Sequence, residues 1–148
     1  FFAYKYDYIS PISVQMIKIS KKVEYALIAL KLFAEKPNEV FTSKQISDKY
    51  NVPYELLSKV LQKLKKCGLL SSSLGMNGGY KLDKDPDQIT IQQVISAIDG
   101  GISLTECQQG KTKDNCIIFD NCSIKDPMHK IQNELQNFFN KKKVSDLV

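Results

Sequence analysis

The chain of 148 residues contains no arginine, so all 21 of its basic residues are lysine; against 16 acidic residues they leave a net charge of +5. Lysine offers phosphates a point charge, whereas the planar fork that grips guanine bidentately belongs to arginine, and recognition by that fork is excluded. A positive balance alone is weak support for nucleic acid as a partner, because many solvated surfaces are rich in lysine. Histidine occurs once, at position 129, and nowhere do a base, a nucleophile and oxyanion donors cluster, so an enzyme is the weakest functional class. Long apolar runs are also missing. Lysine or glutamate interrupts each one before it could span a bilayer, and residues 1–15 lack the apolar block of a signal peptide, so a cytoplasmic location without membrane contact is expected. That opening has no initiator methionine and patterned sequence begins only at Met16, which suggests an upstream extension or a cloning remnant.

Cysteine is sparse but unevenly placed, with Cys67 alone and Cys107, Cys116 and Cys122 close together. In a reducing compartment such a group points to a metal, an iron-sulfur centre or redox chemistry rather than to a disulfide framework. The 43% apolar and 25% charged residues fit a globular chain able to bury one core.

The fold class expected is mainly α with a small β wing. Ser20 precedes a helical stripe of Val23, Ala26, Leu27, Leu30, Phe33 and Ala34, ended by Pro37 and Asn38. Thr42 and Gln45 form a capping-box pattern for a short second helix to about Tyr50. Pro53 suits the first turn of a third helix whose buried face is Leu56, Leu57, Val60, Leu61 and Leu64, with Gly68 as its stop. Two helices joined by so short a turn are a helix-turn-helix. Leu69–Ser73 and Tyr80–Leu82, linked through glycines, read as a hairpin, which in this place is a wing. Thr90 and Gln93 repeat the capping box before a fourth helix closed by Gly100 and Gly101. Asp126 and Pro127 open a last helix on which Met128, Ile131, Leu135 and Phe138 fall at heptad spacing, a seam suited to a second copy of itself more than to the chain's own core. The expected units are an extension at 1–15, a winged helix-turn-helix domain at 16–88, a connecting helix and strand at 89–104, a cysteine-bearing loop at 105–123 and a dimerisation helix with its tail at 124–148.

In a helix-turn-helix the second helix enters the major groove and nearby lysines neutralise phosphates. The polar face of the third helix offers Ser58, Lys59, Gln62, Lys63 and Lys66, among which Ser58, Lys59 and Gln62 reach base edges; Gln62 suits adenine and Lys59 guanine. Thr42 and Ser43, at the start of the preceding helix, join the candidate DNA contacts.

MIKISKKVEYALIALKLFA, VPYELLSKVLQKLKKCGLLSSSLGMNGGYKL and ITIQQVISAIDG together resemble the Rrf2 family of bacterial transcription regulators, and the resemblance runs from Met16 almost to the end. It implies a homodimer on a roughly palindromic double-stranded DNA operator, with the wing tip over the minor groove. Family members commonly carry arginine before the wing glycine; this chain has Leu74, which leaves Asn77, Lys81 and backbone amides to serve the wing.

Eight residues separate Cys107 from Cys116 and five separate Cys116 from Cys122, without the two-residue gap typical of zinc ribbons. A metal or cluster site and unligated redox thiols are equally compatible with that spacing. Cluster-binding members of the family hold a two-iron or four-iron cluster through three cysteines in this loop, although their first gap is usually shorter. For the fourth ligand the resemblance implies either a histidine after the third cysteine, where this chain has Lys125 with His129 one turn later, or a carboxylate from the partner's first helix, where Glu24 stands. Glu24 is favoured. A regulator switched by direct thiol oxidation, or by a bound partner protein, is the alternative. Cys67, ending the apolar stripe of the third helix, is expected to be a small core residue.

Overall fold

The computed structural model describes residues 18–110 and 116–148. The expected extension, with Met16, lies outside the described residues, as do positions 111–115 within the cysteine loop. The chain forms α1 (Lys21–Glu35), α2 (Ser43–Tyr50), α3 (Tyr54–Lys66), the antiparallel pair β1 (Leu70–Ser73) and β2 (Gly79–Leu82), α4 (Ile91–Asp99) and α5 (Lys125–Lys141). Short 3-10 turns occupy Pro86–Gln88, Glu106–Gln109, Phe119–Asn121 and Val144–Leu147. No described helix is long and apolar enough to cross a membrane.

Helix ends are set by local chemistry. The Ser20 hydroxyl accepts from the Val23 amide at 3.3 Å, opening α1. Thr42 and Gln45 complete their box, with Gln45 N–H donating to Thr42 Oγ1 at 3.2 Å and Thr42 N–H to Gln45 Oε1 at 2.8 Å. Thr90 and Gln93 do the same for α4. Asn51 makes the tight turn after α2 in the left-handed region, at φ 53°. Pro53 stands one residue earlier than expected, as the N-cap, its carbonyl accepting from the Leu57 amide at 3.0 Å. Gly68, at φ 71°, ends α3: its amide donates to the Lys65 carbonyl and that of Leu69 to the Leu64 carbonyl, both at 3.0 Å, the paired bonds of a Schellman stop.

One core gathers all of this. Val23, Leu30 and Phe33 of α1, Ile46 of α2, Leu57, Leu61 and Leu64 of α3 and Val94 of α4 are essentially inaccessible to water. Each such side chain contributes about 1.5–3 kcal/mol by leaving water. The chain end returns to the same core: Ile91 N–H donates to the Lys142 carbonyl and Val144 N–H to that of Ile89, both at 2.9 Å, and Val144 is fully buried.

Several expectations need correction. Leu56 is only half-buried, at the edge of the α3 face. Cys67 is exposed, because the turn at Gly68 begins just beyond it and leaves it at the helix C-cap instead of continuing the buried stripe. The stretch after α4 forms no strand; its backbone bonds to the side chains of Gln108 and Gln132 instead. The cysteine-bearing loop contains two 3-10 turns among its described residues.

Candidate functional site

Helix α2 packs on α3, and α3 packs on β1 of the hairpin. Lys59, Gln62 and Lys66 stand exposed on the outer face of α3, with Asn77 and Lys81 exposed on the hairpin; Ser58 is half-buried. Two other candidates are placed differently. Ser43 is buried in the first turn of α2, so its hydroxyl is not offered to a ligand. The ammonium of Lys63 donates to the Ile98 carbonyl at 2.9 Å, capping the negative end of α4 rather than pointing outward. The hydroxyl of Thr42 is engaged in its cap, although the residue is exposed. Tyr54, about half-exposed in the first turn of α3, was not among the sequence candidates. Its position directly after Pro53 was the available signal, since the N-terminal residues of a recognition helix face the bases.

The hairpin is fixed at its base. Phe41, between α1 and α2, exchanges backbone bonds with Tyr80 at 2.9 and 3.0 Å and so adds a residue to the β2 edge. Gly79 permits this approach, because a Cβ there would lie 2.8 Å from the Phe41 carbonyl.

The second site is a cavity of about 260 Å³ lined by Cys107, Cys116 and Cys122 together with Thr105, Glu106, Ile118, Ile124, Lys125 and Met128. The described loop thus folds three thiols, distant in sequence, onto one space with largely apolar walls. All are free thiols. Thr105 Oγ1 and Cys107 Sγ share a hydrogen bond of 3.2 Å. The Lys125 ammonium sits 3.8 Å from the centroid of the Phe119 ring, a cation–π contact on the pocket's rim. Among the described residues, no three histidine, cysteine, aspartate or glutamate side chains converge closely enough to share one metal ion. In donor type, three thiols on one space, the pocket is compatible with a thiolate-bound group.

Neither proposed fourth ligand lines this pocket within one chain. His129 is exposed on α5. Glu24, in the first turn of α1, holds the Lys21 ammonium at 2.5 Å, and that hydrogen bond, followed by the charge attraction, raises the lysine's pKa. Glu106 is the carboxylate that does line the cavity, a position sequence spacing alone did not single out.

The pocket is tied to α5. Gln132, the one buried residue of that helix, accepts from the Leu104 amide at 3.0 Å and donates to the Ile102 carbonyl. Gln108 accepts from the Leu104 and Thr105 amides, each at 3.2 Å, and donates to the Met128 carbonyl at 2.9 Å. Met128 belongs both to the pocket wall and to the apolar seam of α5. Along that seam Met128 and Leu135 are half-buried, whereas Ile131 and Phe138 remain about half-exposed; Phe139 instead turns inward against the core.

Residues 19–148 match the family model described as Rrf2, iron-dependent transcriptional regulator. The HTH-type transcriptional regulator NsrR of Shouchella clausii is 31% identical over 133 residues, 89% of either chain. The regulator IscR of Cronobacter sakazakii is 29% identical over 133 residues, covering 89% of this chain and 80% of the relative. Among solved structures, CymR, the global cysteine regulator of B. subtilis, is similar with a TM-score of 0.70 at 26% identity, over 89% of this chain and 96% of the other.

Proposed function

The chain belongs to the Rrf2 family of transcriptional regulators, a non-enzymatic family, and from that premise we propose that it is a homodimeric, operator-binding regulator whose affinity is set by the state of its thiol pocket. The observation that carries this reading is the convergence of Cys107, Cys116 and Cys122 on one cavity whose wall includes Lys125 and Met128 of α5. An iron-sulfur cluster held there by the three thiolates would supply a redox- and nitric-oxide-sensitive centre. Its fourth ligand would be Glu24 of the partner subunit, with His129 the lesser candidate, and both assignments rest on the resemblance to cluster-binding relatives.

What the chain's own residues do is independent of which ligand completes the set. Any change in the spacing of the three thiols moves the segment 102–108, and the amides of Gln108 and Gln132 pass that movement to α5. When α5 packs on its copy through Met128, Ile131, Leu135 and Phe138, its displacement changes the separation of the two α3 helices. Half-sites follow the helical repeat of DNA, so a small rotation between subunits alters affinity steeply.

A second reading rests on Cys107, Cys116 and Cys122 being free and partly accessible: the same thiols act directly, by oxidation, without a cluster. Anaerobic reconstitution with iron and sulfide, followed by visible absorption and metal analysis, separates the two. The cluster reading expects a coloured protein with iron and sulfide bound. Colourless, iron-free protein with all thiols reduced would leave the direct-oxidation reading in its place.

A further inference from the structure

Leu74 and Met76 are fully exposed, at 101% and 102% of their reference areas, and both stand at the tip of the hairpin on either side of Gly75. Large apolar side chains held wholly in water at a loop tip are costly to leave unpartnered, and two of them together mark a contact. The hairpin is built to be thin there. Gly78 N–H donates to the Gly75 carbonyl at 3.0 Å, closing a four-residue turn, and a Cβ on Gly78 would fall 2.4 Å from the Ser73 carbonyl oxygen. The blade is also rigid at its base through the Phe41–Tyr80 bonds. Four residues per strand carry the tip about 14 Å outward at about 3.4 Å each, enough to pass one phosphate backbone beside α3.

Resting on the reading of α3 as the recognition helix, we infer that the wing tip is an apolar wedge: Leu74 and Met76 enter the DNA minor groove and part-unstack a base step. Lys59 and Lys66 of α3 and Lys81 on β2 are exposed as well, charges that suit a polyanion, and the apolar tip suits one whose stacked interior is apolar. Duplex DNA has that character. Apolar side chains inserted between base steps kink the duplex and select steps that unstack easily, so this wing reads deformability rather than potential. Pyrimidine–purine steps at the wing positions of the operator follow as the preference.

The test uses the full chain and duplexes of 30 base pairs selected by it from a random pool, with 2-aminopurine placed in turn at each adenine outside the α3 half-sites. Binding should raise the fluorescence of the probe at one step per half-site. Leu74→Ala with Met76→Ala should abolish that rise and weaken binding by roughly tenfold per side chain, at fully exposed positions where folding is untouched. Leu74→Arg should also lose the rise while steepening the salt dependence by about 0.9 per added phosphate contact. Unchanged affinity and no fluorescence rise, on a duplex that Lys59→Ala still weakens, would overturn the wedge and leave α3 recognition standing. Failure to enrich any duplex would overturn both.

Discussion

Lys59, Gln62 and Lys66 share one face of α3, yet their chemistry separates them. In the proposed complex Lys59 and Gln62 face base edges, whereas Lys66, in the last turn, faces phosphates. Alanine at either of the first two is expected to weaken operator binding by about 1–3 kcal/mol while leaving random DNA nearly unaffected. Lys66→Ala should weaken both alike and flatten the salt dependence. Titrations on operator and random duplexes at several salt concentrations decide this; equal losses for all three variants would mean that α3 does not read sequence. Periodicity made the outward face of this helix legible in advance. It could not show that Ser43 is buried or that Lys63 bends back to the Ile98 carbonyl, because both depend on neighbours brought in by tertiary packing. Cys67 failed as a core residue for a local reason: the Schellman stop at Gly68 leaves the helix C-cap open to solvent.

Helices α1 to α4 were readable because their signals are local: capping residues at 20, 42 and 90, a glycine stop at 68 and another at 100, and apolar spacing between them. The segment 102–104 was not, since the side-chain amide of Gln132, 28 and 30 residues further along the chain, bonds its backbone in place of a strand. Gln132→Leu would take this partner from the Ile102 carbonyl and leave the Leu104 amide only its bond to Gln108, and an unsatisfied buried group costs about 1–3 kcal/mol. A lower denaturant midpoint with unchanged slope is the expected result; wild-type stability would show that the two groups find other partners. Along the seam of α5, Ile131 and Phe138 stay about half-exposed among the described residues. Leu135→Lys places a charge in that apolar strip and should shift the protein toward monomer in sedimentation. A wild-type chain that sediments as a monomer at micromolar concentration would remove the dimer from the scheme.

At the scale of the whole molecule, the thiol pocket and the α2–α3 surface sit on different elements, and the proposed coupling between them runs through α5 and its copy. Serine at any one of Cys107, Cys116 or Cys122 should abolish or greatly weaken a cluster chromophore, while Cys67→Ser, outside the pocket, should leave it intact. Mixed dimers test the ligand that crosses between chains. Pairing Glu24→Ala subunits with Cys116→Ser subunits leaves one intact thiol loop opposite one intact carboxylate, so about half of the chromophore should return; no return, with His129→Ala bleaching the protein instead, would assign the ligand to the histidine. The most direct measurement is operator affinity on a single anaerobic sample, first with iron and sulfide bound and then after their removal by chelation with thiols kept reduced. The expected result is a change within the range of about 5- to 150-fold typical of coupled sites, absent when Cys107, Cys116 and Cys122 are all serine. Identical affinity in the two states of the wild-type protein would contradict control of DNA binding by a cluster in the pocket.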